Sequence, residues 1–349
     1  MSDSYIIYGA RASYFTQKML GIFRYKEIPH EYRQKTLFIS GEIEKAAGTR
    51  LIPVVKTPDQ DYIFDTTPIA LEMDKIFPGS DLLPSEAVPR ITARIIEDFL
   101  DEWFTRFVMN FRWFHAADCE HSGDSIARDL IGVELDTKLM PEQKTLYETA
   151  RSTLETWAKA TAEKVGAGDY DSQHCLREFE SIVILMEDHF SRYDYFLGER
   201  PSLPDFTLYG ALHAHLLFDP TPRSLLQQKA PALVRFYNRM HKARASDHKR
   251  HWPSTQGMPP TLNAFLMEIS TRFHLFLRKN HDAIQAGEDM VLIDFGYGDR
   301  NFAVRKYVEK CRLQIEGEIW ALAEEERVAV KNYIDTVGCW DAFDMWNAG

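Results

Sequence analysis

Three short stretches of this chain carry residues that could hold and activate a small anionic ligand. The first is "YGARASYFTQK" (8–18), where Ser13 stands at the start of a helix-like run. A serine at that point caps its own helix through the side-chain oxygen. The same hydroxyl, at the positive end of the helix, can instead donate a hydrogen bond to an anion. A thiolate suits the place, because a free thiol, with a pKa of about 8.5, is lowered towards neutrality at a helix N-terminus.

The second stretch is "LIPVV" (51–55) and the third is "FDTTPIA" (64–70). A proline entering a strand marks either an edge strand or a cis turn. A cis Ile52–Pro53 bond would turn the Ile52 N–H and C=O outward to pair with an extended peptide. In the third stretch Asp65 and Thr66 precede a helix whose first turn holds Pro68. A threonine hydroxyl and unpaired N–H groups there can bind a carboxylate, and Asp65 can pair with an amine. Plain capping by Thr66 or Thr67 is the competing reading.

The elements that would position these groups follow from the hydrophobic pattern. "SYIIYG" reads as a short buried strand, and Phe15, Met19, Ile22 and Phe23 recur at helical spacing, predicting a helix over 14–27. A second strand is expected at 29–36, a short helical turn at 41–48, two strands joined at "TPDQD" within 51–64, and a helix from Thr67. The order β-α-β-α-β-β-α is that of a compact α/β unit. "FPGSDLLPSEAVP" (77–89) reads as a linker, and the pattern is helical from Arg90 to about Arg244. Within it Ile91, Ile95, Phe99, Trp103 and Phe107 recur every four residues, and further helices are expected at 142–165 and 173–196. Ser202 and Asp205 have capping-box spacing. Beyond "HWPSTQGMPP" the pattern predicts a helix over 261–285, a hairpin around "GYGDR" (296–300), then helices to about Val337.

Bulk properties narrow the function. The chain has 349 residues, 45% hydrophobic and 27% charged, and a formal net charge of -11, which argues against a nucleic-acid partner. No apolar run approaches the length of a membrane span, and the start has no secretory-signal pattern. Cys119, Cys175, Cys311 and Cys339 are scattered, as expected of reduced thiols in the cytoplasm. His115, Asp118, Cys119 and His121 lie close together, but their spacing matches no zinc pattern, so no metal is expected and a polar helix end is the preferred reading.

Taken with their order, a strand ending in "YG", Ser13 with Lys18 five residues on, "IPVV", the Asp65–Thr66 pair and "PSLPDFTLYGAL" resemble the glutathione transferase superfamily over roughly residues 5 to 243. The wording "SYFTQK" and "MNFRW" looks like a Ser/Cys-type, bacterial-like branch with a C-terminal extension. The resemblance implies a thioredoxin-like α/β domain (1–83), an all-helical domain (84–250) and an extra α+β segment (251–349). It implies glutathione as co-substrate and a homodimer. By the same resemblance Ser13 faces the glutathione sulfur, Ile52 and Pro53 pair with the cysteinyl backbone, and Asp65 and Thr66 hold the γ-glutamyl end. Tyr14 and Tyr8 are rivals of Ser13, since Tyr14 replaces a common proline and Tyr8 lies near the position used by Tyr-type members. Lys35 and Arg50 are candidates for the glycine carboxylate. Trp113, with Arg112 and His215, is the candidate lining of a pocket for an apolar electrophile. The expected activity is thiolate attack on that electrophile, in a transferring, ether-cleaving, dehalogenating or isomerising variant. The alternative is a non-catalytic binding or scaffold protein with the same architecture.

Overall fold

The computed structural model describes residues 4–247, 251–296 and 298–345. The chain opens with β1 (Tyr5–Gly9), α1 (Tyr14–Tyr25), β2 (His30–Gln34), α2 (Leu37–Ala47), β3 (Val54–Lys56), β4 (Tyr62–Phe64) and α3 (Thr66–Ile76). This is the expected α/β order. Helices then follow as α4 (Ala87–Phe99), α5 (Thr105–Phe114), α6 (Ala116–Ile131), α7 (Pro141–Lys164), α8 (Ser172–Arg192), α9 (Leu203–Ala211), α10 (Pro220–Lys229) and α11 (Pro231–Lys242). The last segment holds α12 (Thr261–Ile269), α13 (Leu275–Ala286), a hairpin of β5 (Met290–Asp294) and β6 (Asp299–Ala303), α14 (Lys306–Trp320) and α15 (Glu324–Thr336). The architecture is therefore an α/β domain, a helical domain and an extra α+β segment. No helix among the described residues is long and apolar enough to cross a membrane.

The chain divides into two compact units. One comprises 1–82, 108–161 and 206–250; the other 83–107, 162–205 and 251–349.

In the first unit four strands form one sheet in the order β2-β1-β3-β4, with β1 and β2 parallel and the other pairs antiparallel. Alternation sorts the side chains by face. Tyr5 packs edge-on against Phe23 of α1, so Tyr5 and Ile7 belong to the α1 face. Tyr8 and Val54 cluster with Ile43 of α2 on the other face. Pro53 stands just outside the ladder, so its missing N–H removes no sheet hydrogen bond. The edge-strand reading of "LIPVV" is corrected, because β3 is paired on both sides, and the Ile52–Pro53 bond is cis. Gly9 is required by close approach: a Cβ there would lie 2.4 Å from the Thr16 hydroxyl oxygen. The Ala10 N–H donates to that oxygen at 3.3 Å, locking the end of β1 against α1.

In the second unit the every-fourth-residue stripe on α4 and α5 has a structural consequence. Positions four apart advance about 40° per step around a helix of 3.6 residues per turn, so a straight α-helix would carry the stripe off its face. A π-helical stretch at Leu100–Phe104, with its wider winding, offsets that drift, and Ile91, Ile95, Phe99, Trp103 and Phe107 are all buried. Trp103 donates its indole N–H to Glu178 at 2.6 Å and lies under the Arg106 guanidinium at 4.0 Å. Phe273, Phe276 and Phe302 from the C-terminal segment pack around the same indole. A second π-helical stretch, Ser270–His274, interrupts the helix expected as continuous over 261–285. The "GYGDR" segment is a hairpin turn as expected, with the Asp294 carboxylate accepting from the Gly296 and Gly298 N–H groups at 2.8 and 2.9 Å. Tyr297 lies outside the described residues.

Asp205 completes its cap by a different route from the usual reciprocal box. Its carboxylate accepts from the Ser202 N–H at 2.8 Å, the Ser202 hydroxyl at 2.6 Å and the Phe196 N–H at 2.9 Å. An aspartate side chain is a methylene shorter than glutamate, and here it gathers three donors while fully buried.

Candidate active site

Sheet register brings the three motifs to one end of the first unit. Tyr8 pairs with Val54, and Val54 with Phe64, so these residues form a row across β1, β3 and β4. One step beyond that row lie Gly9, Pro53 and Asp65. Neighbouring strands are about 4.8 Å apart, so the ends of β1 and β4 are separated by about 10 Å, the length of an extended tripeptide. The helices α1 and α3 both begin at this end, and their N-termini are favourable places for negative charge.

The turn that presents Ser13 is held through each of its carbonyls. Ala10 C=O accepts from the Ser13 N–H at 3.1 Å, and Arg11 C=O from the Gln17 side chain at 2.9 Å. Ala12 C=O accepts from Arg112 Nη1 at 2.9 Å. Ser13 itself has extended backbone and accepts from the Thr16 N–H through Oγ at 3.3 Å, so it does cap α1. That role leaves the hydroxyl proton available to a ligand, and the side chain is only partly buried.

The two tyrosines are placed differently. The Tyr8 ring is buried on the α2 face, stacked on Tyr62, whereas α1 lies on the opposite face. Tyr14 is buried in the first turn of α1, stacked on Phe15, with His215 at 6.2 Å.

At the other end of the row Asp65 is the N-cap residue of α3, with φ 78° and ψ 108° and no side-chain capping hydrogen bond. A positive φ at a non-glycine residue costs about 1–3 kcal/mol, and such strain persists mostly where function holds it. Thr66, the first residue of α3, is buried. Of the two basic candidates, Lys35 is buried, and its amine bonds Glu44 at 2.9 Å and the Arg50 carbonyl at 3.1 Å. Arg50 turns its side chain to solvent, 93% exposed, with Glu44 3.9 Å away.

The residues expected to line the co-substrate pocket serve the interior instead. Arg112 is buried and bonds both oxygens of Asp219, each at 3.0 Å, along with the Ala214 carbonyl. Ser122 donates to the same carboxylate. Arg112 also donates to His215 Nε2 at 3.3 Å, which fixes the imidazole proton on Nδ1. Burial, reinforced by the Arg112 charge, holds His215 well below its ordinary value, so the ring is neutral. Trp113 is buried as well.

The open volume beside the Ser13 turn lies elsewhere. A cavity of 270 Å³ is lined by Arg11, Tyr32, Gln34, Thr36, Asp129 and Glu134, among others, and none of Trp113, Arg112 or His215 reaches it. Arg11 bonds the buried Asp129 and approaches Glu134 at 3.5 Å. The Tyr32 hydroxyl, pushed up by burial and by Asp129, stays neutral and donates to Gln34. These contacts were not visible in sequence, since Asp129 is 118 positions from Arg11. His115, Asp118, Cys119 and His121 belong to the start of α6, where Asp118 accepts from the Thr221 N–H at 2.8 Å. Among the described residues no group of three or more metal-ligating side chains converges.

Residues 7–81 match the sequence model of the glutathione S-transferase N-terminal domain, and residues 169–243 that of the glutathione S-transferase C-terminal domain. No curated protein matches the chain in sequence. Among solved structures, the beta-etherase LigF from Sphingobium sp. strain SYK-6 is 19% identical, with a TM-score of 0.49 over 70% of this chain and 97% of its own. Rice GST1 in complex with glutathione is 16% identical, with a TM-score of 0.46 over 77% and 96%. A glutathione S-transferase from Methylobacterium radiotolerans in complex with glutathione sulfonate is 16% identical, with a TM-score of 0.43 over 70% and 94%. By residues 7–81 and 169–243, the chain carries segments that match the N-terminal and C-terminal domains of the glutathione S-transferase family.

Proposed function

We propose that the protein is a glutathione-dependent transferase that binds the tripeptide across the ends of β1, β3 and β4. The observation that carries this reading is the register, which sets Gly9, the residue leading into the Ser13 turn, in one rank with Pro53 and Asp65 at the sheet end where two helices begin. The Ser13 hydroxyl and the α1 N-terminus would stabilise the thiolate, with Ile52 and Pro53 against the cysteinyl backbone. Asp65 and Thr66 would take the γ-glutamyl end, and the solvent-facing Arg50 is the better placed cation for the glycine carboxylate. Catalysis would consist of lowering the thiol's pKa and orienting it, with no covalent bond to Ser13.

The thiolate would attack an electrophilic carbon of a second substrate, forming a carbon–sulfur bond as the leaving group departs with its electron pair. The cavity bounded by Arg11, Gln34 and Asp129 adjoins the Ser13 turn, and its polar lining favours a small electrophile with hydrogen-bonding groups over a wholly apolar one. A homodimer is part of the same reading.

The test is retention on immobilised glutathione followed by a pH titration of thiolate absorbance in the complex. A bound thiol that ionises below its free value supports the transferase. No retention at millimolar glutathione assigns the protein to the scaffold alternative.

A further inference from the structure

Two helical segments of the first unit share one spacing, "YGALH" (209–213) and "YNRMH" (237–241). Residues four apart are neighbours on a helix face, so each segment presents a tyrosine and a histidine together. Tyr209 lies on α9 and His213 in the π-helical stretch Leu212–Leu216 that prolongs it, while Tyr237 and His241 lie on α11. The fold sets the two pairs against each other. All six ring-to-ring distances fall between 5.5 and 6.2 Å, and the imidazoles stack at 5.7 Å with 10° between their planes.

The hydroxyls decide where the imidazole protons sit. Tyr237 OH stands 3.0 Å from His213 Nδ1, and Tyr209 OH stands 3.0 Å from His241 Nδ1 and 3.3 Å from His213 Nδ1. One hydroxyl proton given to each Nδ1 satisfies both and leaves each ring's own proton on Nε2. Among the described residues neither Nε2 has a partner, and His241 is exposed while His213 is half-buried. Two N–H donors on nearly parallel rings can be bridged by one oxyanion, at about 2.8 Å from each.

The charges around the pair have one sign. Arg24 of α1 sets its guanidinium over the Tyr209 ring, 5.1 Å from the centre, and its Nε and Nη2 are buried with no acceptor. Burial lowers the pKa of both imidazoles, His213 to about 4, and positive neighbours add to it. Arg24 acts on both rings, Lys242 and Arg244 act on His241, and none of the groups acting on either ring is a carboxylate. A chain of formal net charge -11 thus gathers three fixed positive charges here with no acid among them. Such a field repels a metal ion and attracts an anion. Guanidinium donors held from water without an acceptor are costly, and a bound anion offsets that cost.

We propose that the two Tyr-x-x-x-His segments, backed by Arg24, form a binding site for the phosphate group of a small ligand. The imidazole N–H groups hold the phosphate oxygens, and Arg24, Lys242 and Arg244 supply the charge. The net negative charge of the chain argues against a polyanion. This site does not depend on the glutathione reading, because Arg24 lies about 16 Å along α1 from Ser13.

The test is calorimetric titration of the full chain with inorganic phosphate at constant ionic strength. One saturable site with a Kd below about 1 mM is expected. His241→Phe keeps a ring at an exposed position, removes the N–H, and should weaken binding at least fivefold. Arg24→Met should weaken it at least tenfold, whereas Arg33→Ala, a loss of positive charge on β2, should change it less than twofold. If Arg24→Met does not fold, His241→Phe and His213→Phe decide. Absence of saturable binding, or binding that the histidine variants leave within twofold of wild type, would overturn the proposal. Zinc chloride bound by the wild type and lost in His241→Phe, with phosphate ignored, would assign the pair to a metal instead.

Discussion

The Arg112 guanidinium donates to the Ala12 carbonyl at 2.9 Å, directly ahead of Ser13, while its other nitrogens grip both oxygens of Asp219. A buried ion pair between α5 and the residue preceding α10 thus fixes the turn that presents the candidate catalytic hydroxyl. Removing one member leaves the other charge buried and uncompensated. Arg112→Met should lower stability by about 3–5 kcal/mol in urea unfolding. Adding Asp219→Leu should recover part of the loss, and strict additivity of the two effects would show that they are uncoupled.

Ser13→Ala should raise the pKa of bound glutathione and slow conjugation while changing glutathione affinity little. The lost cap should remove about 1 kcal/mol of stability. Tyr8→Phe should leave the thiol titration unchanged, because its ring lies on the face opposite α1. A thiol pKa that follows Tyr8 and ignores Ser13 would reverse that assignment.

Gly210 permits α9 to touch α1. A Cβ there would stand 2.5 Å from the Tyr14 carbonyl oxygen, which is backbone and cannot swing aside. Gly210→Ala should therefore cost about 1–3 kcal/mol through overpacking, read as a lowered midpoint of thermal unfolding. An unchanged midpoint would mean that α9 shifts freely.

His189 gives the second unit a dependence on acid. Its Nε2 faces the Tyr195 carbonyl at 3.1 Å and so carries the proton, leaving Nδ1 to accept from the Thr261 hydroxyl at 2.7 Å. Burial lowers its pKa from 6.5 to about 4. The unfolded chain then binds the proton more readily than the folded one. The contribution is complete above about pH 6.5 and is lost as pH falls towards 4, amounting to up to about 3 kcal/mol. Urea unfolding at successive pH values should show a shallower acid limb in His189→Gln. His213 and His274, lowered by burial to about 4 and about 3, keep part of the slope. Parallel limbs in wild type and variant would exclude His189 as a contributor.

Much of the first domain is legible locally. Gly9, Ser13, Pro53 and Asp65 each mark a backbone event, namely a close approach, a cap, a cis bond and a left-handed φ. Of these, the Ser13 cap was expected outright and the cis bond as one of two readings of Pro53, whereas the Gly9 contact with Thr16 and the positive φ of Asp65 emerge only from the fold. The first turn of α2 is not legible, because Leu37 and Phe38 are exposed and break the apolar period. The pocket residues expected from Trp113, Arg112 and His215 illustrate the same limit. Polar and aromatic groups on a helix can serve a ligand or the interior, and only the partners across the fold distinguish these uses.

Sequence by itself determined the element order of the first domain, the family resemblance and the short list of residues at the sheet end. Tertiary structure decided which of them face one another, because register and helix packing join positions far apart in the chain. Arg11 meets Asp129, Arg112 meets Asp219, and the amine of Lys18 meets Thr67. None of these pairs has a local signature, since a charge on a helix looks the same whether it meets water or its partner. Ser13 was visible from its neighbours, whereas the turn that presents it is braced by Arg112, a hundred positions beyond Ala12.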